Sequence, residues 1–215
     1  MYQHAKEYGI LYHNNPPYEV LSTNWISFDD VLNLKKVEEM VEVYYNSHQF
    51  DMAIKVLETQ FERPFTMYQK LGDFYEKKAY DTMSHSRIRR GEILLEFAAE
   101  ICQGSENFTK VLREALIFDL YSRENCKSRP AWAVDMGSFK HMTHHYCKNG
   151  KLSHIEPFHY DFVKLLGENN GGQEEHMLLE KESVWVLFSY EKRNPLTHCA
   201  EITEVEYMVP EEKKK

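Results

Sequence analysis

Ser183-Val184-Trp185-Val186-Leu187-Phe188-Ser189-Tyr190 is apolar on both of the faces that a strand presents, the pattern of a strand covered on each side. Working outward, Phe158, Tyr160 and Phe162 alternate with His159 and Asp161. Pro157 near the start confines that segment to a strand beginning or a sheet edge. On the other side Thr203, Val205, Tyr207 and Val209 alternate with Glu204, Glu206 and Met208, which predicts a half-exposed third strand. The joins contain Asn169-Asn170-Gly171-Gly172 and Asn194-Pro195. Both are turn-rich, so a three-stranded antiparallel meander with 183–190 at its centre is the simplest topology.

Upstream of Arg129-Pro130 the period is 3.6 rather than 2. Ser27 with Asp30 three residues on forms an approximate capping box, and a helix is expected from Phe28 to about Tyr45. Its apolar face would carry Phe28, Val31, Leu32, Leu34, Val37, Val41, Tyr44 and Tyr45. Met52 to Phe61 repeats the period before Pro64 interrupts it. Further helices are expected over 66–80, 86–102 and 108–122, the last presenting Val111, Leu112, Ala115, Leu116 and Phe118 to a core. Helices first and a small sheet second is the α+β order: an N-terminal multi-helix lobe followed by a small antiparallel β-sheet. Ahead of all this, Ala5 to Tyr8 reads as one closing helical turn with Gly9 in the C-cap position, then an extended Ile10-Leu11-Tyr12 and the loop Asn14-Asn15-Pro16-Pro17. A domain seldom opens on the end of a helix, so the chain is expected to be cut from a longer protein, with a native terminal arm as the other reading.

The 215 residues hold 34 acids and 26 Lys or Arg, a net charge of −8, which disfavours a protein built to neutralise phosphate backbones. The 14 Tyr, 12 Phe and 3 Trp are not interleaved with cations and read as core rather than as a stacking platform. No apolar run approaches the ~20 residues of a membrane span, and Met1 to Gly9 lacks the apolar stretch of a signal peptide. Cys102, Cys126, Cys147 and Cys199 are widely spaced, without a Cys-x-x-Cys pair. Reduced thiols and a cytoplasmic location are the expectation.

Sequence signatures of hydrolase, nucleotide-phosphate and dinucleotide sites are absent. The densest polar cluster is His141-Met142-Thr143-His144-His145-Tyr146-Cys147. On a helix His141 and His145 share a face, and with Cys147 they could ligate a transition metal, Cys126 or His154 adding another ligand. The favoured reading is a polar surface or loop segment, since no second paired-ligand unit exists. Lys127 and Arg129 would activate the Cys126 thiol if they lay close to it. A partly buried structural thiol is the simpler reading. Arg87-Ile88-Arg89-Arg90 could dock a small anion or an acidic patch of a partner, but a solvated helix face is favoured in so acidic a chain.

Tyr8-Gly9-Ile10, Pro16 to Thr23, Trp25-Ile26-Ser27-Phe28 and Val37 to Ser47 resemble the stretch that follows the catalytic barrel in cobalamin-binding radical S-adenosylmethionine (radical SAM) proteins. Phe118 to Asn125, Arg129-Pro130 and Arg193-Asn194-Pro195-Leu196-Thr197-His198 are similar to recurring pieces of the uncharacterised C-terminal domain beyond it. The resemblance implies a barrel-exit segment over 1–24, a helical lobe over 25–130 and a sheet region packed on the helices over 131–215. It implies a parent enzyme with a [4Fe–4S] cluster, S-adenosylmethionine and cobalamin. The family's cluster ligands form Cys-x-x-x-Cys-x-x-Cys, and this chain has no such motif.

The implied role is accessory and non-catalytic: packing on the barrel and the cobalamin-binding domain of the parent, and covering or shaping the substrate opening. Arg123, Arg193 and His198 are the substrate-contact candidates, against a structural pairing of the same three. Neither a nucleic acid nor a membrane is an expected partner. Two alternatives stay open, a free-standing interaction module offering a groove to a protein and a small metal-binding protein built on His141, His145 and Cys147.

Overall fold

A computed structural model describes residues 4–102, 105–126, 128–148, 152–167 and 180–209. The described residues form α-helices followed by a small antiparallel sheet, with a short hairpin ahead of them, an α+β fold. The chain divides into two compact units, Met1–His48 with Phe61–Ser84, and Gln49–Gln60 with His85–Lys215.

In the first unit a helical turn closes at Gly9, whose φ of +58° is a left-handed conformation that glycine adopts without strain. Strands β1 (Leu11–Tyr12) and β2 (Val20–Ser22) then pair antiparallel. Helix α1 (Phe28–Val41) starts on the expected box: the Ser27 hydroxyl accepts from the Asp30 amide, and the Asp30 carboxylate accepts from the Ser27 amide at 3.0 Å. The predicted helix continues beyond Val41 as one π-helical turn over Glu42–Asn46. Helix α3 (Pro64–Lys77) packs on α1, with Gly72 against Lys36, where an added Cβ would sit 3.3 Å from the Lys36 Cβ. Lys36 in turn bonds Asp73 and Glu76. The face of α1 differs from expectation. Val37 and Met40 are its buried residues, while Phe28, Leu32 and Leu34 are exposed. Helix α3 and strand β2 pack on α1, and they cover a narrower stripe than the sequence offers.

The second unit is organised by α5 (Glu106–Arg123), whose C-terminal half is buried nearly all round. Helices α2 (Asp51–Glu58) and α4 (Arg87–Ile101) pack on it. So does β3 (Ser153–Tyr160), the first strand of the sheet β3-β4-β5, with β4 (Glu180–Ser189) central and β5 (Glu201–Val205) last, all antiparallel. This is the expected meander. The turn Asn169–Gly172 lies outside the described residues. Phe118 of α5 meets Phe158, Phe162 and Phe188 at centroid distances of 5.4–5.6 Å. On the other sheet face Ile155 and Trp185 pack with Met142 and Cys147, at and just after α6 (Lys140–Tyr146). Both faces of β4 are therefore covered, which is why its sequence is apolar throughout. Phe162 opens α7 (Phe162–Gly167) instead of extending β3, because the Asp161 carboxylate accepts the Lys164 amide at 2.9 Å and starts a helix. The last strand stops at Val205, short of the predicted Val209.

Candidate functional site

In the second unit α5, β3 and the segment between them line a half-open cavity of about 320 Å³. Its polar wall is built from long-range pairs. Glu156 on β3 is 1% exposed and faces Arg129 from the segment after α5; both guanidinium Nη atoms reach the carboxylate, Nη2 at 2.8 Å. His154, two residues along the strand and so on the same face, puts Nε2 2.5 Å from Glu156 Oε1. Its ring lies flat on Tyr121, with centroids 3.6 Å apart. Arg129 also donates to the Val134 carbonyl at 2.9 Å and sits 3.5 Å from the Tyr121 hydroxyl. Burial pushes the Tyr121 phenol up to about 12, with Glu156 adding to it. Burial alone would lower Arg129, but its bonds to Glu156 more than offset that, and the net shift is upward.

A second pair closes the cavity. The register of β3 on β4 shifts between Phe158 and Tyr160, which takes the intervening residue out of the ladder. Glu114 of α5 accepts the freed His159 amide at 2.8 Å and holds the His159 Nδ1 at 2.6 Å. Both carboxylates on the wall are thus saturated by protein partners. Arg113 is different. It makes no hydrogen bond or ion pair among the described residues, and its Nε is shielded from water. Of these residues the sequence singled out His154 and Arg129, but as a metal ligand and a thiol activator; Glu114, Glu156, His159 and Arg113 were not candidates, and Arg129 and Glu156 stand 27 positions apart and share no local pattern.

Arg123, Arg193 and His198 do come together. Arg123 donates to the Thr197 carbonyl at 2.7 Å, while Arg193 donates to the Arg123 carbonyl at 2.7 Å and the His198 carbonyl at 3.2 Å. Arg193 also lies over the Tyr190 ring. The last carbonyls of α5, which lack intrahelical donors, are met in turn: Tyr121 by the Tyr190 hydroxyl, Ser122 by the Ala200 amide and Arg123 by Arg193. The three candidates therefore clamp the loop between β4 and β5 onto the end of α5. His198 takes a φ of +57° in that loop.

The cluster is helical from His141 to Tyr146, as a shared face for His141 and His145 requires, and Cys147 caps the helix end. His141 stands edge-on to Tyr207 with its Nε2 buried and unbonded, His145 stands edge-on to Tyr146, and Cys147 is buried in the core. His154 is engaged with Glu156 as above. Among the described residues no group of three or more His, Cys, Asp or Glu side chains could hold a metal ion. Cys102, Cys126, Cys147 and Cys199 are free thiols. Burial raises the Cys126 thiol and Glu124 raises it further, opposite to the activation that nearby cations would bring. Of the basic run, Arg87 pairs with Glu124, and Arg89 reaches Glu92 at 3.0 Å and Glu96 at 2.8 Å. No helix among the described residues is long and apolar enough to cross a membrane.

The model of the family described as "Protein of unknown function (DUF4080)" matches residues 6–159. The chain belongs to this family. Its match takes in the N-terminal hairpin, helices α1 to α6 and nearly all of β3, and so includes both pairs that line the cavity. No curated protein matches the chain, and no solved structure does.

Proposed function

We propose that this chain is a non-catalytic C-terminal accessory domain of a cobalamin-binding radical SAM enzyme, docked on the barrel and helping to cover or shape its substrate opening. The observation that carries the reading is the apolar surface of the segment that resembles the barrel exit, together with the start of the helix after it. Trp25 is 73% exposed, Leu11 64% and Tyr18 61%, and Ile26, Phe28 and Leu32 are exposed beside them in sequence. Tyr8 and Trp25 pack ring on ring at 5.7 Å. Apolar surface concentrated in this way marks an interaction site, and a barrel from which the chain has just emerged is held next to it at high effective concentration. The [4Fe–4S] cluster, S-adenosylmethionine and cobalamin belong, on this reading, to the parent's other domains, where they supply the radical chemistry. Among the described residues the four cysteines are not gathered into a group that could hold a metal. Arg123, Arg193 and His198 act by fixing the β4–β5 loop as a contact surface.

The longer reading frame, expressed anaerobically, tests this. It should encode Cys-x-x-x-Cys-x-x-Cys upstream in frame and cleave S-adenosylmethionine with or without the present region. Hydroxyl-radical footprinting should find Tyr18 and Trp25 protected in the long protein and labelled in the isolated chain. A frame that opens at Met1, or equal labelling in both forms, refutes the reading and leaves the free-standing module.

A further inference from the structure

We propose that the α5–β3 cavity binds a small monocarboxylate with a compact apolar body, and that Arg113 is the residue that receives the carboxylate. The inference is independent of the docking reading and concerns a different unit of the chain. The volume, about 320 Å³, lies at the lower end of the range for small-molecule sites, ~300–1,000 Å³. Ile117, Val134 and Pro157 supply an apolar lining, and five charged side chains join them. Of these, Glu114 is taken by His159, Glu156 by Arg129 and His154, and Arg129 by Glu156. Lys110 reaches only Glu106, at 3.5 Å on the open helix surface. Arg113 is left with no acceptor for a guanidinium whose Nε is already out of water.

A donor in that position carries a desolvation cost until an acceptor arrives. The rigid guanidinium fork matches the two oxygens of a carboxylate. A single negative charge suits the site better than a phosphate does. Among the described residues Arg113 is the wall cation with a buried, unpartnered donor, two carboxylates stand nearby, and the chain carries a net charge of −8. The apolar lining requires the rest of the ligand to be hydrocarbon.

Isothermal titration calorimetry of the whole chain tests this with three probes: 3-phenylpropionate, its uncharged analogue 3-phenylpropanamide, and inorganic phosphate. The carboxylate should bind once per chain and at least roughly tenfold more tightly than the amide, since charge-assisted bonds are the stronger kind. Arg113→Gln should remove that advantage and leave the weak amide binding in place, and Arg113→Lys should restore part of it. Equal affinity for carboxylate and amide, retention of the preference in Arg113→Gln, tighter binding of phosphate, or no heat from 3-phenylpropionate up to ~10 mM each overturns the assignment. The wild-type comparison of acid and amide needs no variant, so a folding failure of Arg113→Gln does not blunt the test.

Discussion

Between Tyr8 and Leu34 the chain leaves Trp25, Leu11, Tyr18 and Phe28 facing water, whereas around α5 and β3 it takes Glu156, Glu114 and Asp119 out of water. The two regions depart from ordinary burial in opposite directions, and they differ in where the compensation comes from. Each buried acid has its partners supplied by the same unit of the chain: Arg129 and His154, His159, and the first amides of α2. The exposed aromatics make ring contacts at the surface, Tyr8 with Trp25 and with His4. One unit thus meets its buried charges internally, while the other presents apolar surface of the kind that marks an interaction site.

The comparison breaks most visibly if the buried acids turn out not to need their partners. Replacing Arg129 with Ala strands Glu156, 1% exposed, with a histidine as its remaining side-chain partner. Removing one partner of a buried pair costs ~3–5 kcal/mol. Arg129→Leu combined with Glu156→Leu should cost clearly less, because neither charge is then left alone. Urea unfolding of the three proteins checks this. A single variant no less stable than the double would show that Glu156 finds compensation elsewhere.

How much of this was legible beforehand follows from the range of the forces involved. The sheet was readable because β4 is covered on both faces and its neighbours alternate, and each of these patterns lies within ten residues. The helices were readable for the same reason. The end of β3 was misplaced at Phe162, since alternation continues through Asp161 even though that carboxylate starts a helix. The cavity was invisible, because Arg129 meets Glu156 and Glu114 meets His159 across long stretches of sequence. Asp119 did leave a signal. It continues the line of Leu112, Ala115 and Leu116 along α5, and an acid on an otherwise apolar helix face asks for a partner.

That partner gives the next largest effect. The Asp119 carboxyl receives the Met52 and Ala53 amides at 3.0 and 2.9 Å, capping α2, whose own N-cap, Phe50, offers no side-chain acceptor. Asp119→Ala should cost ~2–3 kcal/mol, the loss expected for buried donors left unmet. Burial pushes the carboxyl up to about 8 from 3.8, against the pull of the two amides. The folded state therefore keeps a proton that the unfolded chain releases. The stability this brings is complete below about pH 4 and is lost as pH rises toward 8. Wild type should unfold at lower urea at pH 8 than at pH 5, with the slope reduced in Asp119→Asn. A wild-type slope of the opposite sign that vanishes in Asp119→Asn would mean that the amides hold the acid charged.

The smallest effect belongs to the exposed edge and sharpens what it is for. Gly9 holds a φ of +58°, and a Cβ built there would lie 2.0 Å from the Asn24 Oδ1, while the Asn24 Nδ2 donates to the Glu7 carbonyl at 3.2 Å. Gly9→Ala must adopt a conformation costing about 1–2 kcal/mol for a side-chain-bearing residue and must also displace Asn24. Asn24 precedes Trp25, so the turn that presents the aromatic pair should loosen even though little burial is lost. Global unfolding should shift by about 2 kcal/mol, while Tyr8 and Trp25 lose their mutual contact, seen as greater quenching of tryptophan emission by acrylamide. If quenching is unchanged, the pair is held by its own ring contact rather than by the glycine turn, and the edge is stiffer than its exposure suggests.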